Sequence, residues 1–163
     1  MRGDRCLPNA PSEASLELAR RKKANGVSVR PRGARPAAPA VAAATFDCEL
    51  IEVGDGRAVF MAKPQLKHCN PLGSVHGGWY APLMDFALGC AVQSKLPPGL
   101  GCTTSQINVH IVRAAKAHRG PLRCEGLALH VGRQVGTSEA RIIGPDGKLY
   151  APATTTCVIF DAN

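Results

Sequence analysis

From Phe46 onward the chain alternates apolar and polar positions in short runs, the two-residue period of strands half-buried on a core. Phe46 to Val53 and Arg57 to Ala62 are two such runs, and Gly54-Asp55-Gly56 between them has the composition of a tight hairpin turn. Four more runs fill the second half: Thr103 to Val112, Leu122 to Val131, Gln134 to Ile143 and Leu149 to Phe160. In the first of these Ile107, Val109 and Ile111 alternate with Gln106, Asn108 and His110. Pro145-Asp146-Gly147 marks a hairpin before the last run. The connections are short, which predicts antiparallel neighbours.

Between the second and third runs the pattern changes. His76 to Leu96 is apolar without strand alternation, and between Gly77 and Val92 its only charge is Asp85. As a helix this segment would be about 30 Å long. A helix apolar all round is a buried helix, and Pro97-Pro98-Gly99 stops it. Two strands, a buried helix and four strands can satisfy that helix only if the sheet curls around it. The expected class is therefore α+β, an antiparallel sheet wrapped around one long buried helix. One sheet covers one face of a helix, so a second copy of the chain is expected to cover the rest.

Charge changes the picture only at the N-terminus. Residues 1–40 hold nine Lys/Arg against three acidic residues, a net of +6 out of the whole chain's +8. The remainder is only +2, so nucleic acid is not an expected partner of the body. Residues 1–40 read as a basic, Pro/Ala-rich arm that is poorly ordered beyond a short helix between Ser12 and Ala24. Its Arg and Ala content is similar to a transit peptide, against which Asp4, Glu13 and Glu17 count. Residues 41–163 form the expected domain. Seven cysteines, an odd number with no C-x-x-C pair, argue for reduced thiols in a cytoplasmic setting and against a metal site. Cys124 and Cys157 sit in apolar runs, as small hydrophobes do. No run reaches the ~20 apolar residues of a membrane span.

The stretch from Asn70 to Asp85 carries the candidate chemistry. Gly77 and Gly78 open the helix, where backbone N–H groups lack intrahelical partners and can stabilise an oxyanion on a carbonyl brought close to glycine. The plainer reading of a Gly-Gly pair is a tight turn. Asp85, with Ala81 and Gly89 as its i±4 neighbours, lies on a stripe of small residues with room for a substrate or another chain. Burial there would raise its pKa, as suits a general base; the plainer reading is a structurally paired Asp. His76 is assigned a supporting role, orienting the loop. Gly77 and Asp85 stand about 12 Å apart along one helix, whereas reacting groups must meet within ~3–3.5 Å. Antiparallel helices across a two-fold axis would bring Gly77 of one chain to Asp85 of the other.

These residues resemble a known family. Asn70-x-x-Gly-x-Val-His-Gly-Gly-x-x-x-x-x-x-Asp85, followed by Ala87-x-Gly-x-Ala-Val, is similar to the PaaI-type hotdog thioesterases, as are Gly132-Arg133, Glu139-Ala-Arg141 and the tail from Leu149. The likeness covers roughly residues 46–160. It implies the hotdog fold and hydrolysis of an acyl-CoA, aromatic or medium-chain, in a homodimer or dimer of dimers, with no cofactor because CoA is part of the substrate. It implies that Gly77 offers its N–H to the thioester carbonyl, that Asn70 holds that region, and that Asp85 of the partner chain is nucleophile or base for water. A hydroxyl early in the third strand assists in some members; Thr104 fits, with Thr103 the other choice. For CoA it points to Arg113 to Lys116 and His130 to Gln134, with Arg113, Lys116, Gly132 and Arg133 as the apt residues. Trp79, Leu83 and Phe86 are candidates for the acyl pocket. Pro82 departs from the family's pattern and would bend the helix near Asp85 unless it falls in the first turns. Two alternatives stand beside this reading. One is a hotdog hydratase or dehydratase, which would want a His paired with its acid. The other is a non-catalytic acyl-CoA-binding subunit, which would want a missing catalytic residue.

Overall fold

A computed structural model describes residues 41–162; the expected N-terminal arm, residues 1–40, lies outside the described residues. A short helix α1 (Val41–Thr45) leads into β1 (Cys48–Gly54) and β2 (Arg57–Ala62), then a 3-10 turn (Leu66–His68) and the long helix α2 (Gly77–Gln93). Four strands follow: β3 (Leu100–Val109), β4 (Leu122–Val131), β5 (Val135–Ile143) and β6 (Leu149–Asp161). They form one six-stranded antiparallel sheet in the order β1-β2-β4-β5-β6-β3. All six strands pack against α2, so the sheet curls around the helix as the sequence predicts.

The turns follow from local chemistry. Asp55 and Gly56, with φ of 47° and 80°, make the two-residue β1–β2 hairpin, whose positive φ at both positions matches the twist of the strands. At the β5–β6 turn Gly147 takes φ 72° and the Asp146 carboxylate accepts the Lys148 N–H at 3.2 Å.

Two expectations need correction. β3 starts and ends three residues before the apolar alternation suggests, because the ladder with β6 begins at Leu100 and becomes irregular after Val109, where Tyr150 O accepts both Val112 N–H and Arg113 N–H. Nor are β3 and β4 neighbours. The connection 110–121 runs past the start of α2, where Ala115 is buried and bonds Val75 and the Tyr80 hydroxyl, and β3 closes on β6 instead.

The helix is not buried all round. Trp79, Tyr80, Leu83, Met84, Ala87, Leu88, Ala91 and Val92 face the sheet and form the centre of the core. The stripe Ala81, Pro82, Asp85, Phe86, Gly89 and Cys90 is only half-buried. The chain's own sheet covers one face, and the stripe carrying Asp85 is the face it leaves.

Pro82 sits in the second turn, since α2 starts at Gly77, yet the helix runs unbroken to Gln93. No helix among the described residues is long and apolar enough to cross a membrane.

Candidate active site

The start of α2 is prepared by its preceding loop. Asn70 Oδ1 accepts the N–H groups of Leu72 (3.0 Å) and Ser74 (3.2 Å), and its Nδ2 donates to Ser74 Oγ (2.9 Å). The closed loop then pairs Cys69 with Val75, and His76 N–H with His68 O at 2.8 Å. His76 caps the helix: its Nδ1 accepts the Gly78 N–H at 2.9 Å and its carbonyl accepts the Trp79 N–H at 2.9 Å. That leaves the Gly77 N–H without a hydrogen-bond partner among the described residues. A Cβ at position 77 would stand 3.2 Å from Ile111 Cδ1, so glycine also keeps the approach to this N–H open.

Two turns further on, Asp85 Oδ1 accepts a hydrogen bond from Thr104 Oγ1 at 2.7 Å. Thr104 lies on the helix-facing side of β3, whereas Thr103 is exposed. Asp85, Phe86, Gly89, Cys90, Thr104 and Cys157 line an open cleft of about 470 Å³. At its far end Gln93 ties the helix to β3, donating to Leu100 O (3.0 Å) and accepting from Cys102 N–H (3.1 Å).

Of the candidates for an acyl pocket only Phe86 reaches this cleft, stacked on Phe60 at 5.9 Å between centroids. Trp79 and Leu83 belong to the core instead, with Trp79 Nε1 donating to Phe46 O at 3.2 Å. Their helical positions point them at the chain's own sheet, which a list of apolar residues does not reveal.

The structure does not bring the two basic groups together. Arg113 and Lys116 flank buried Ala115 beside the start of α2, the Arg113 guanidinium 5.8 Å from the Tyr150 ring centre. Gly132 and Arg133 form the β4–β5 turn at the opposite end, where Gly136 meets Val92 near the end of α2. The ten residues of β4 separate the two ends by about 33 Å. Gly77 and Asp85 of one chain are likewise two turns apart on one helix.

A second pair escaped the sequence reading because it joins residues 21 apart through the fold. The His68 ring, only 7% exposed, packs 5.4 Å from Trp79; its Nδ1 accepts the Gln65 N–H at 2.9 Å and its Nε2 lies 3.5 Å from Asp47 Oδ2. Burial lowers the pKa of His68, the Asp47 carboxylate partly opposing and Lys67 reinforcing the shift. The unfolded chain therefore binds this proton more readily, so stability falls as pH drops below ~6.5 and levels off beneath the folded value. The thermal midpoint of the wild type is expected to fall more steeply between pH 7 and pH 5 than that of His68→Gln. Equal slopes would place the acid sensitivity elsewhere.

The model of the thioesterase superfamily matches residues 72–151. A Halobacterium salinarum protein assigned as an esterase is 34% identical over 86 residues, 53% of this chain, and the match spans only 56% of that relative's length. A Ralstonia eutropha protein assigned as a phenylacetic acid degradation-related thioesterase is 32% identical with a TM-score of 0.67, covering 78% of this chain and 94% of that one. A hypothetical thioesterase from Streptococcus pneumoniae, crystallised with coenzyme A, is 26% identical with a TM-score of 0.67, covering 74% of this chain and 93% of that one.

Proposed function

Because the chain belongs to the thioesterase superfamily, as a PaaI-type hotdog protein, we propose that it hydrolyses acyl-CoA thioesters at a site centred on Asp85. The observation that carries this reading is the 2.7 Å hydrogen bond from Thr104 to Asp85 at the edge of an open cleft, on the one helix face that the sheet leaves uncovered. A carboxylate so held has one oxygen engaged and the other available for water or for a carbonyl carbon. The similar Streptococcus pneumoniae protein bound to coenzyme A supports CoA as the thiol half of the substrate.

The site is completed by a second copy of the chain. Two α2 helices packed antiparallel and crossing at Ala81, midway between Gly77 and Asp85, place the Gly77 N–H of each beside the Asp85 of the other. Ala81 and Pro82 offer no long side chain at that crossing, so the helices can approach closely. The same two-fold sets Arg113 and Lys116 of one chain at the end of the cleft where Gly132 and Arg133 of the other lie. Two clusters too far apart in one chain then serve one CoA: its phosphates meet the guanidinium groups of Arg113 and Arg133 and the ammonium of Lys116, all suited to phosphate oxygens, with Gly132 admitting them close to the backbone.

Within this site Gly77 polarises the thioester carbonyl and Asp85 attacks it or activates water. Thr104 orients Asp85, Asn70 holds the loop that presents Gly77, and His76 caps the helix. Free-CoA release from a panel of aromatic and medium-chain acyl-CoAs tests the reading. Thr104→Ala should lower kcat by ~10-fold with little change in KM, and Thr104→Ser should restore most of it. A panel that yields no free CoA would sink the proposal, and an unchanged kcat in Thr104→Ala would remove Thr104 from it.

A further inference from the structure

Three thiols gather at Asp85 from three different elements: Cys90 on α2, Cys102 on β3 and Cys157 on β6. The Cys102 thiol donates to Gly89 O at 3.7 Å, and Cys102 and Cys157 stand close enough to shift each other's ionisation. The strand register explains why. Thr104 stands opposite Cys157 and Cys102 opposite Ile159, so Cys102 is the diagonal neighbour of Cys157 on the cleft side of the sheet. Cys157 Sγ also lies 4.0 Å from Thr104 Oγ1, the hydroxyl that donates to Asp85. Both line the cleft, Cys157 with no exposed surface and Cys102 half-buried.

We infer that Cys102 and Cys157 form a redox-modification site, in which a small peroxide joins them in a disulfide that reversibly closes the Asp85 site. The thiolate of the pair is Cys157, which lines the cleft beside Thr104. The neighbouring Cys102 thiol lowers the pKa of Cys157 to about 7, while Cys157 and then burial raise that of Cys102. The Cys157 sulfur breaks the peroxide O–O bond, giving a sulfenic acid and one water. The Cys102 sulfur then attacks the Cys157 sulfur, forming the S–S bond and releasing a second water. Both thiol hydrogens end in water, and the peroxide takes the two electrons.

Closing that bond requires movement, because diagonal neighbours stand ~7–8 Å apart at Cα while disulfides span ~4.4–6.8 Å. β3 can supply it. It is an edge strand paired only with β6, and its ladder is already irregular between Thr104 and Gln106. Drawing Cys102 inward shifts Thr104 on the same strand and weakens its hold on Asp85. A disulfide formed under such strain is readily reduced again.

The activity arm of the test rests on the proposed function; the chemical arm does not. The full chain is exposed to hydrogen peroxide, remaining thiols are blocked, and peptides are read by mass spectrometry beside CoA release before and after dithiothreitol. A linked Cys102–Cys157 peptide, lighter by two hydrogens, is expected together with a ~10-fold or larger loss of turnover that dithiothreitol reverses. Cys157→Ala should retain its own untreated rate under peroxide, whereas in Cys102→Ser the loss should persist with no linked peptide. Oxidation of other thiols without the linked peptide would overturn the site, and a linked peptide with unchanged turnover would overturn the switch. If the untreated chain releases CoA from no substrate, the proposed function fails, and the linked peptide alone decides the modification site.

Discussion

Asp85→Asn is expected to lower free-CoA release from the best acyl-CoA by ~10²-fold or more while the chain stays folded. The amide has the shape of the carboxylate, and its oxygen can still accept the Thr104 hydroxyl at the position where Asp85 Oδ1 does, 2.7 Å away. What disappears is the negative charge and the basicity. Asp85 lies on the half-buried stripe of α2, so the amide's N–H groups meet the cleft and its solvent rather than an apolar core, and no buried donor is stranded. The loss should therefore appear in kcat, with the thermal midpoint unchanged within a few degrees. If the variant turns over as fast as the wild type, Asp85 is neither nucleophile nor base and the mechanism proposed here is wrong. A loss of rate together with a collapse of the thermal midpoint would mean that Asp85 acts on the fold instead.

The second large effect concerns stability. Gly126→Ala is expected to cost about 3 kcal/mol or more, at or above the upper end of overpacking penalties, and to lower the thermal midpoint by about 10 °C. A Cβ at position 126 would stand 2.6 Å from the Ala87 carbonyl carbon and closer still to its oxygen, both backbone atoms of α2. Neither side can give way cheaply. Gly126 is held in β4 between Ala58 of β2 and Ala140 of β5, and Ala87 is fully buried at the centre of the helix. The helix would have to lift off the sheet, opening contacts along its length. Gly89→Ala is the contrast. Nothing lies within 4 Å of a Cβ there, so relief of the helical glycine penalty should stabilise the chain by ~0.5–1 kcal/mol. An unchanged midpoint in Gly126→Ala would show that the helix rides higher on the sheet than this close approach requires.

Much of the architecture is legible in the sequence. The period-two runs mark β2, β4, β5 and β6 to within a residue, because a strand with one face on a core writes its burial into alternate positions. Gly54-Asp55-Gly56 marks the first hairpin because positive φ at Asp55 and Gly56 needs residues that tolerate it. β3 was displaced at both ends, since its edges are decided by where β6 offers partners and not by its own side chains. Pro97-Pro98 bounds the helix, yet α2 already ends at Gln93, where its side chain caps the start of β3.

The candidate site divides in the same way. Asn70, His76, Gly77 and Asp85 lie within sixteen residues, so their loop, cap and helix roles can be read from local spacing. Thr104 was one of two choices until the pleat of β3 turned it toward Asp85. By itself the sequence determined the class of fold, the buried helix with a single carboxylate, and the glycine N–H at its start, because helix and strand periods and capping chemistry are local properties. Only the tertiary structure decided which face of the helix stays uncovered, that the basic clusters lie at opposite ends of the sheet, and that Cys102 and Cys157 meet beside Asp85. Those facts depend on strand order and register across long separations in sequence, set by how the whole sheet closes around the helix.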